Sequence, residues 1–275
     1  MPKFTNKISQ GFTLIEMAIV LIILGLVLSA LLMPIRAQRD LQAQRQTEDT
    51  LARAKQALLG YAQTFGRLPC PATPLTNGNE APIGGGACTV ISGFLPAATL
   101  GIQPTDNDGF AIDGWNRPIR YAVTQVNNPN FGNLTLPDFT TAGEISNIGL
   151  SARKPPPNDE KPVLDPGLRV CRSGTGVTDQ NPSVAYPCGS ITVGLATIET
   201  NFLTKDAVAV IFSLGLTGNL ASGGVDELEN TAGNNVFVSH NITAAGAANG
   251  EFDHMVVWIS PFELYNGMIA AGQLR

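Results

Sequence analysis

The stretch ISQGFTLIEMAIVLIILGLVLSALLMPIRAQR (residues 8–39) decides the fold, because it sets one carboxylate at the edge of a long apolar run. The carboxylate is Glu16, and residues 17–33 carry no charge. The 22 residues from Phe12 to Met33 would form about 33 Å of helix, enough to cross a bilayer. A charge inside the hydrocarbon costs about 2.5–3.5 kcal/mol. Glu16 therefore lies either just outside the hydrocarbon or opposite a positive partner, and residues 12–34 are predicted to form a transmembrane helix.

The residues before the apolar run indicate how the segment is processed. Lys3 and Lys7 precede the run as in a secretory signal, but no small-residue A-x-A cleavage site follows it. Instead, GFTLIEMAIVLIILGLV (residues 11–27) resembles the N-terminal signal of type IV pilins and of the pseudopilins of type II secretion. A basic leader, a glycine, an aromatic residue, Thr-Leu-Ile-Glu and a long apolar run all occur in register.

This resemblance implies a specific maturation and a set of partners. Prepilin peptidase would remove residues 1–11 as a cytoplasmic leader, cut between Gly11 and Phe12, and methylate the new N-terminus at Phe12. Glu16 would then meet the N-terminal ammonium of a neighbouring subunit in a filament, and the transmembrane helix over residues 12–34 would become a filament-core helix. The implied partners are prepilin peptidase, other pilin or pseudopilin subunits, an inner-membrane assembly platform and the membrane itself. The alternative is a Glu16 at the lipid headgroups without a role in assembly.

The helix is predicted to continue beyond the apolar run as an amphipathic segment over residues 35–66, with a bend near Pro34. Apolar positions recur at spacings of three and four, which is the pattern of a helix with one buried face. Gly66 and Pro69 are predicted to end this helix. The positions of the buried face are Leu51, Ala54, Leu58, Tyr61, Ala62 and Phe65.

Four cysteines indicate the compartment of the remaining chain. Their spacing favours two local disulfides, Cys70 with Cys88 and Cys171 with Cys188, although four cysteines permit three pairings. Disulfides need an oxidising compartment, so we expect a single-pass protein of the bacterial inner membrane with its N-terminus in the cytoplasm. The C-terminal domain would be periplasmic. The alternative is four buried thiols in a cytosolic protein.

Residues 67–275 are predicted to form a β-rich periplasmic domain, because 29 glycines, 19 prolines and only 14% charged residues favour a loop-rich β structure. A helix is expected after Pro261. The whole chain is predicted to be α+β, a long N-terminal helix packed on an antiparallel sheet, as in pilins. The candidate strands are residues 119–123, 191–197, 207–214, 235–240 and 254–259.

A second resemblance concerns the C-terminal half. Major pseudopilins have a Ser-Leu-Gly, Gly-Gly and acidic-Trp series that holds a structural calcium ion. Here the resemblance would supply oxygen donors from Asp226 and Asp253, with Ser213 and Glu227 as further candidates. About 25 residues are inserted between Gly224 and Glu251 relative to that pattern, and solvated turns without a metal are the alternative.

Composition and motifs exclude several classes of function. Without residues 1–11 the chain has 15 basic and 22 acidic residues, a net charge of −7, which argues against nucleic-acid binding. No nucleophile-elbow, zinc-protease or phosphate-loop motif occurs, and His240 and His254 are expected to be surface or packed residues. The chain is therefore predicted to be a structural subunit without enzymatic activity, with a minor or specialised place in the filament. The alternative function is a single-span, membrane-anchored periplasmic binding protein with a pilin-type signal.

Overall fold

The computed structural model describes residues 11, 13–127, 135–150, 164–175, 188, 191–193, 196–198, 201–218 and 223–274. Side chains are not described at residues 29–37, 191–193 and 196–198. The chain divides into two compact units, Met1–Ala43 and Gln44–Arg275. In chain order the elements are α1 (Leu14–Phe65), β1 (Ser92–Phe94), α2 (Ala97–Leu100), β2 (Arg120–Val123), α3 (Glu144–Ile148), β3 (Leu168–Cys171), β4 (Ile191–Val193), β5 (Ala196–Ile198), β6 (Phe202–Ala207), β7 (Ala209–Ser213), α4 (Val225–Thr231), β8 (Val236–Val238), β9 (Met255–Ile259) and α5 (Pro261–Ala270).

Helix α1 ends where the sequence predicts. Gly66 follows its last residue with φ of 68° and donates its N–H to the carbonyl of Ala62 at 2.9 Å. This left-handed conformation favours glycine and stops the helix. The helix assignment runs through Pro34 without interruption, and the predicted bend there stays a prediction.

The second half of α1 buries the predicted apolar face. Leu51, Ala54, Leu58 and Ala62 are all buried. Phe65 is the exception, because it is 55% exposed and its ring lies tilted against that of Tyr61 at the end of the helix. The prediction that Phe65 belongs to the core is therefore wrong.

The buried face of α1 packs against an antiparallel sheet with the strand order β1-β2-β7-β9. Strand β7 is central and buried along its whole length, as its unbroken apolar run predicts. Tyr121 and Ile211 of the sheet share one core with Leu58 of α1 and Leu264 of α5. The α+β class, with a long helix on an antiparallel sheet, is confirmed.

The remaining strands do not belong to one sheet with the others, as the sequence predicted, but form two further sheets. Strand β3 pairs antiparallel with β6 and parallel with β8, so the second sheet is mixed. The strand predicted at residues 191–197 is instead an antiparallel pair, β4 with β5. Strands β1, β3 and β6 were not predicted, because they are short or lack an alternating apolar pattern. Most of the proline-rich segment over residues 151–167 lies outside the described residues.

Covalent and ionic links fix the loops that follow α1. The structure pairs Cys70 with Cys88 and Cys171 with Cys188, the two local pairings that their spacing favoured. Glu80, inside the first of these loops, accepts two hydrogen bonds of 2.7 and 2.8 Å from Arg67, which lies just before the loop. Both side chains are buried. The sequence contained no signal that would pair these two residues.

Candidate assembly site and cation site

The predicted processing and assembly residues lie at the start of α1. Gly11 is exposed, and Phe12 lies outside the described residues. The N–H and the Oγ1 hydroxyl of Thr13 each donate to Glu16 Oε2 at 3.0 Å. In return, the N–H of Glu16 donates to Thr13 Oγ1 at 3.3 Å. Together these bonds form a capping box, in which two residues satisfy each other's unpaired backbone donors at a helix start.

Glu16 thus has a partner within its own chain. The T-L-I-E spacing is the sequence signature of a capping box, and it could have been recognised from the sequence. Thr13 is therefore a residue of this site that the sequence prediction missed. Its contacts hold the Glu16 carboxylate at the N-terminal end of α1, where the helix dipole favours negative charge.

The first half of α1 exposes apolar side chains on every side. All side chains from residue 14 to residue 28 are exposed, and Glu16 is the one charged residue among them. A helix with apolar residues on all sides is stable when lipid or other helices surround it. The predicted span over residues 12–34 includes Phe12 and residues 29–34, whose side chains are not described. Within the described part of the chain, no helix has both the length and the apolar character needed to cross a membrane.

The two carboxylate oxygens of Asp226, the first predicted cation ligand, are already occupied by hydrogen-bond partners from the protein. Its side chain is 2% exposed and lies in the first turn of α4. Oδ1 accepts from the hydroxyl of Ser173 at 3.0 Å and from the N–H of Gly174. Oδ2 lies 3.0 Å from His240 Nε2 and accepts from Asn249 Nδ2 at 3.1 Å. Two oxygens with four partners leave little room for a metal ion.

Asp253, the second predicted ligand, lies beside Glu227. The N–H of Asp253 donates to Glu227 Oε1 at 3.0 Å, and Asp253 Oδ2 accepts from the N–H of Thr217 at 2.7 Å. Asp253 Oδ1 is buried and has no hydrogen-bond partner among the described residues. Burial and the negative charges of Asp253 and Glu251 raise the pKa of Glu227. The two carboxylates therefore repel each other across a site with an open oxygen.

His254 completes a group with Glu227 and Asp253 whose potential ligand atoms all lie within 4.8 Å of one another. The Asn230 amide is oriented by the backbone, because it donates to the carbonyl of Val238 and accepts from the N–H of the same residue. Its second amide proton therefore points at His254 Nδ1, 3.1 Å away. His254 must carry its proton on Nε2, and burial lowers its pKa to about 4. It is neutral at neutral pH, and with Nδ1 bonded to Asn230 and a proton on Nε2 it offers no free lone pair to a metal ion.

The residues present fit an oxygen-preferring cation better at Asp253 and Glu227 than at Asp226. Calcium takes six to eight oxygen ligands, and a buried carboxylate oxygen without a partner is costly unless a cation or a proton satisfies it. Ser213 is committed elsewhere, since its hydroxyl donates to Asp113 Oδ2 at 2.6 Å. Calcium binding stays a prediction, with Glu227 beside the open oxygen.

The N-terminal segment carries the prepilin-type signal that type IV pilins and pseudopilins share. The particular family model that matches is the prokaryotic N-terminal methylation motif, over residues 6–32. The match includes the Gly11–Phe12 junction, Glu16 and most of the apolar run. No curated protein and no solved structure matches the chain significantly.

Proposed function

We propose that this chain is a pilin-like structural subunit, cut by prepilin peptidase after Gly11 and methylated at Phe12. It assembles with other subunits into a type IV pilus or a type II secretion pseudopilus that is rooted in the inner membrane. Residues 12–34 cross that membrane before assembly, and residues 35–66 continue the helix. Residues 67–275 form the periplasmic domain. The size and loop insertions of this domain favour a minor or specialised subunit, because an abundant subunit must repeat compactly.

The observation that carries the proposal is the combination of the prepilin-type signal with a helix that is apolar on all sides from residue 14 to residue 28. Such a helix is suited first to lipid and then to the core of a helical filament. Only Glu16 is charged within it, and cleavage after Gly11 would create an ammonium at Phe12. A buried carboxylate is far less costly when it is paired with such a charge, so Glu16 favours addition of the next subunit in one register.

The two disulfides support the periplasmic placement of the domain. Cys70, Cys88, Cys171 and Cys188 are all paired, and such bonds persist in oxidising compartments. A disulfide that closes a loop of this size stabilises a domain by roughly 3 kcal/mol in the chain-entropy model.

The intact mass and N-terminal sequence of the protein test the proposal, in hosts with and without prepilin peptidase. A chain beginning at methylated Phe12, seen only with the peptidase, is the expected result. Replacing Gly11 by Leu should block the cut, whereas Gly25→Ala, inside the helix, should leave it unchanged. A chain that still begins at Met1, or one cut beyond residue 33, would refute the proposal.

A membrane-anchored binding protein is the second candidate, and a groove in the C-terminal unit favours it. This groove has a volume of about 720 Å³ and is lined by Trp258, Phe262 and Tyr265 among others. Replacing Glu16 by Leu separates the two functions. A filament subunit should keep its membrane level but lose incorporation into filaments, while an anchored binder should keep its function.

A further inference from the structure

We propose that the open edge of strand β9 binds an extended segment of another polypeptide, which adds a strand to the sheet β1-β2-β7-β9. The site is a second groove of about 630 Å³, the edge groove, which lies between this edge, α1 and residues 239–242. All of its lining residues belong to the unit Gln44–Arg275. The inference therefore goes beyond the proposed function and does not depend on the N-terminal signal.

Strand β9 is the open edge of the four-stranded sheet. It stands last in the strand order, and its one strand partner among the described residues is β7. The opposite edge is covered, because Ala72 and Phe94 of β1 exchange two backbone hydrogen bonds of 2.8 and 2.9 Å. Edge strands are usually protected by charges, proline or a bulge. The residues of β9, Met-Val-Val-Trp-Ile, include no charge and no proline and pair one to one with β7, so this edge can accept another strand.

The edge groove exposes the backbone of β9 and not one of its faces. Four consecutive residues, 254–257, line it. Side chains of a strand alternate between two faces, and here Met255 and Val257 pack against the core shared with α1 while Val256 packs against a second core. Consecutive residues reach one groove only along the edge, where an edge strand presents unpaired N–H and C=O groups.

The opposite wall of the edge groove also presents unpaired backbone. Residues 239–242 line it, and among the described residues the N–H groups of residues 240–242 have no hydrogen-bond partner. The two walls meet at one end, where Thr243 and Phe252 exchange backbone hydrogen bonds of 2.9 and 3.1 Å. Backbone N–H and C=O groups are strong donors and acceptors. The ligand that fits two such walls is itself extended main chain, as in β-strand addition.

The two walls also select the source of the added strand. A strand between them uses both of its edges, so it cannot already be paired within a folded sheet. Every described strand of this chain is paired with at least one neighbour, which argues against a second copy. The occupant is therefore an unpaired terminal or linker segment of a different protein.

The lining indicates which side chains this segment carries. Ala52 of α1 is exposed, and Ile242 on the opposite wall is 54% exposed. Apolar residues at alternate positions of the segment would cover these side chains. Glu48 and Lys55 on the floor have opposite charges, so the groove does not select a charged segment.

Amide hydrogen exchange of the full-length chain in detergent tests the site. Without a ligand, the amides of residues 240–242 and alternate amides of β9 should exchange more than about tenfold faster than those of β7. The probe is a synthetic peptide of about eight residues, within the usual length of a strand, with alternating threonine and valine and a lysine at each end. At millimolar concentration it should slow the exchange of these amides on both walls and leave β7 unchanged.

Two controls separate backbone recognition from other kinds of binding. The same peptide with every second amide N-methylated keeps its side chains but loses the donors along one edge, so it should no longer protect both walls. Ala52→Trp fills the groove from α1 and should abolish the protection. Gln56→Trp, at an exposed position of α1 outside the lining, should keep it, and far-ultraviolet circular dichroism checks that both variants are folded.

The possible failures can be told apart. Amides of β9 that are all as slow as those of β7 in the free chain, no protection by the unmethylated peptide, or equal protection by the methylated one would overturn the edge site. Protection that grows with the concentration of the chain alone would show a second copy in the groove and overturn the assigned source. An uncleaved Gly11–Phe12 junction refutes the proposed function, while the exchange rates still decide this site.

Discussion

At the scale of single residues, one position of Glu16 would serve two roles, the first observed and the second proposed. In the free subunit its carboxylate closes a capping box with Thr13. In a filament it would face the ammonium of a neighbour. Both roles use negative charge at the N-terminal end of a helix. In the proposed filament, the capping contacts would hold the carboxylate in place before a neighbouring subunit arrives.

Removal of the Thr13 hydroxyl tests the capping contact. Thr13→Val should weaken the helix start by about 1 kcal/mol, because the side-chain acceptor for the Glu16 N–H is lost. Amide hydrogen exchange at residues 14–17, measured in detergent micelles, should then be about fivefold faster. Thr13→Ser keeps the hydroxyl and should exchange like the parent. Equal rates in the Val and Ser variants would exclude the capping role.

The open oxygen of Asp253 leads to a prediction about calcium. Adding calcium to the full chain should raise its thermal midpoint, with about 2.7 kcal/mol of stabilisation at a hundredfold excess over the dissociation constant. Asp253→Asn should abolish the calcium response. Asp226→Asn should lower the midpoint without calcium but keep the response, because its oxygens serve Ser173, Gly174, His240 and Asn249. A midpoint that calcium and chelator leave unchanged would exclude the site.

At the scale of elements, the loop after α1 is organised around Glu80. Besides Arg67, its carboxylate accepts from the N–H groups of Cys70 and Gly84 and from the hydroxyl of Tyr61. The disulfide between Cys70 and Cys88 closes the loop around these contacts. A buried ion pair thereby joins the end of a long helix to the first loop of the β domain.

The contrast between a buried and an exposed ion pair can be measured within this chain. Glu80→Gln should lower the free energy of unfolding by about 3–5 kcal/mol, because it leaves Arg67 charged and buried without its partner. Glu263→Gln removes the exposed pair with Lys55 and should cost less than about 1 kcal/mol. Denaturant unfolding of the two variants gives both values. Similar losses in the two would contradict the role assigned to Glu80.

At the scale of the whole molecule, acid stability should depend on Glu80. Burial alone would raise the pKa of its carboxyl group, but the hydrogen bonds and charge of Arg67, together with the N–H groups of Cys70 and Gly84, outweigh burial and lower that pKa. The stability this residue contributes is therefore complete above the unfolded value of about 4.3 and is lost as pH falls through the folded pKa.

Unfolding measured from pH 7 to pH 2.5 tests this dependence. The parent chain should lose stability steeply below about pH 4.3, while Glu80→Gln should begin lower and fall less. Glu227→Gln serves as the control of opposite sign, because the raised pKa of Glu227 favours the folded state as pH falls. Parallel curves for the parent and Glu80→Gln would refute the assignment.

The sequence by itself determined the features that depend on neighbours along the chain. The prepilin-type signal, the amphipathic face from Leu51 to Ala62, the stop at Gly66 and the closing helix α5 all follow from local spacing. The central strand β7 is recognisable for the same reason, because burial on both faces requires an unbroken apolar run. Short strands such as β1 and β3 carry no such pattern and were missed.

Only the tertiary structure decided which distant polar groups meet. Glu80 binds Arg67, and Asp226 accepts hydrogen bonds from three separate segments. Beside the unpartnered oxygen of Asp253 lies Glu227, and not Asp226 as predicted. A buried charge needs partners wherever the fold brings them, and spacing along the chain does not encode that choice. The groove on α5 belongs to the same category, since its walls come from strands and a helix that meet only after folding.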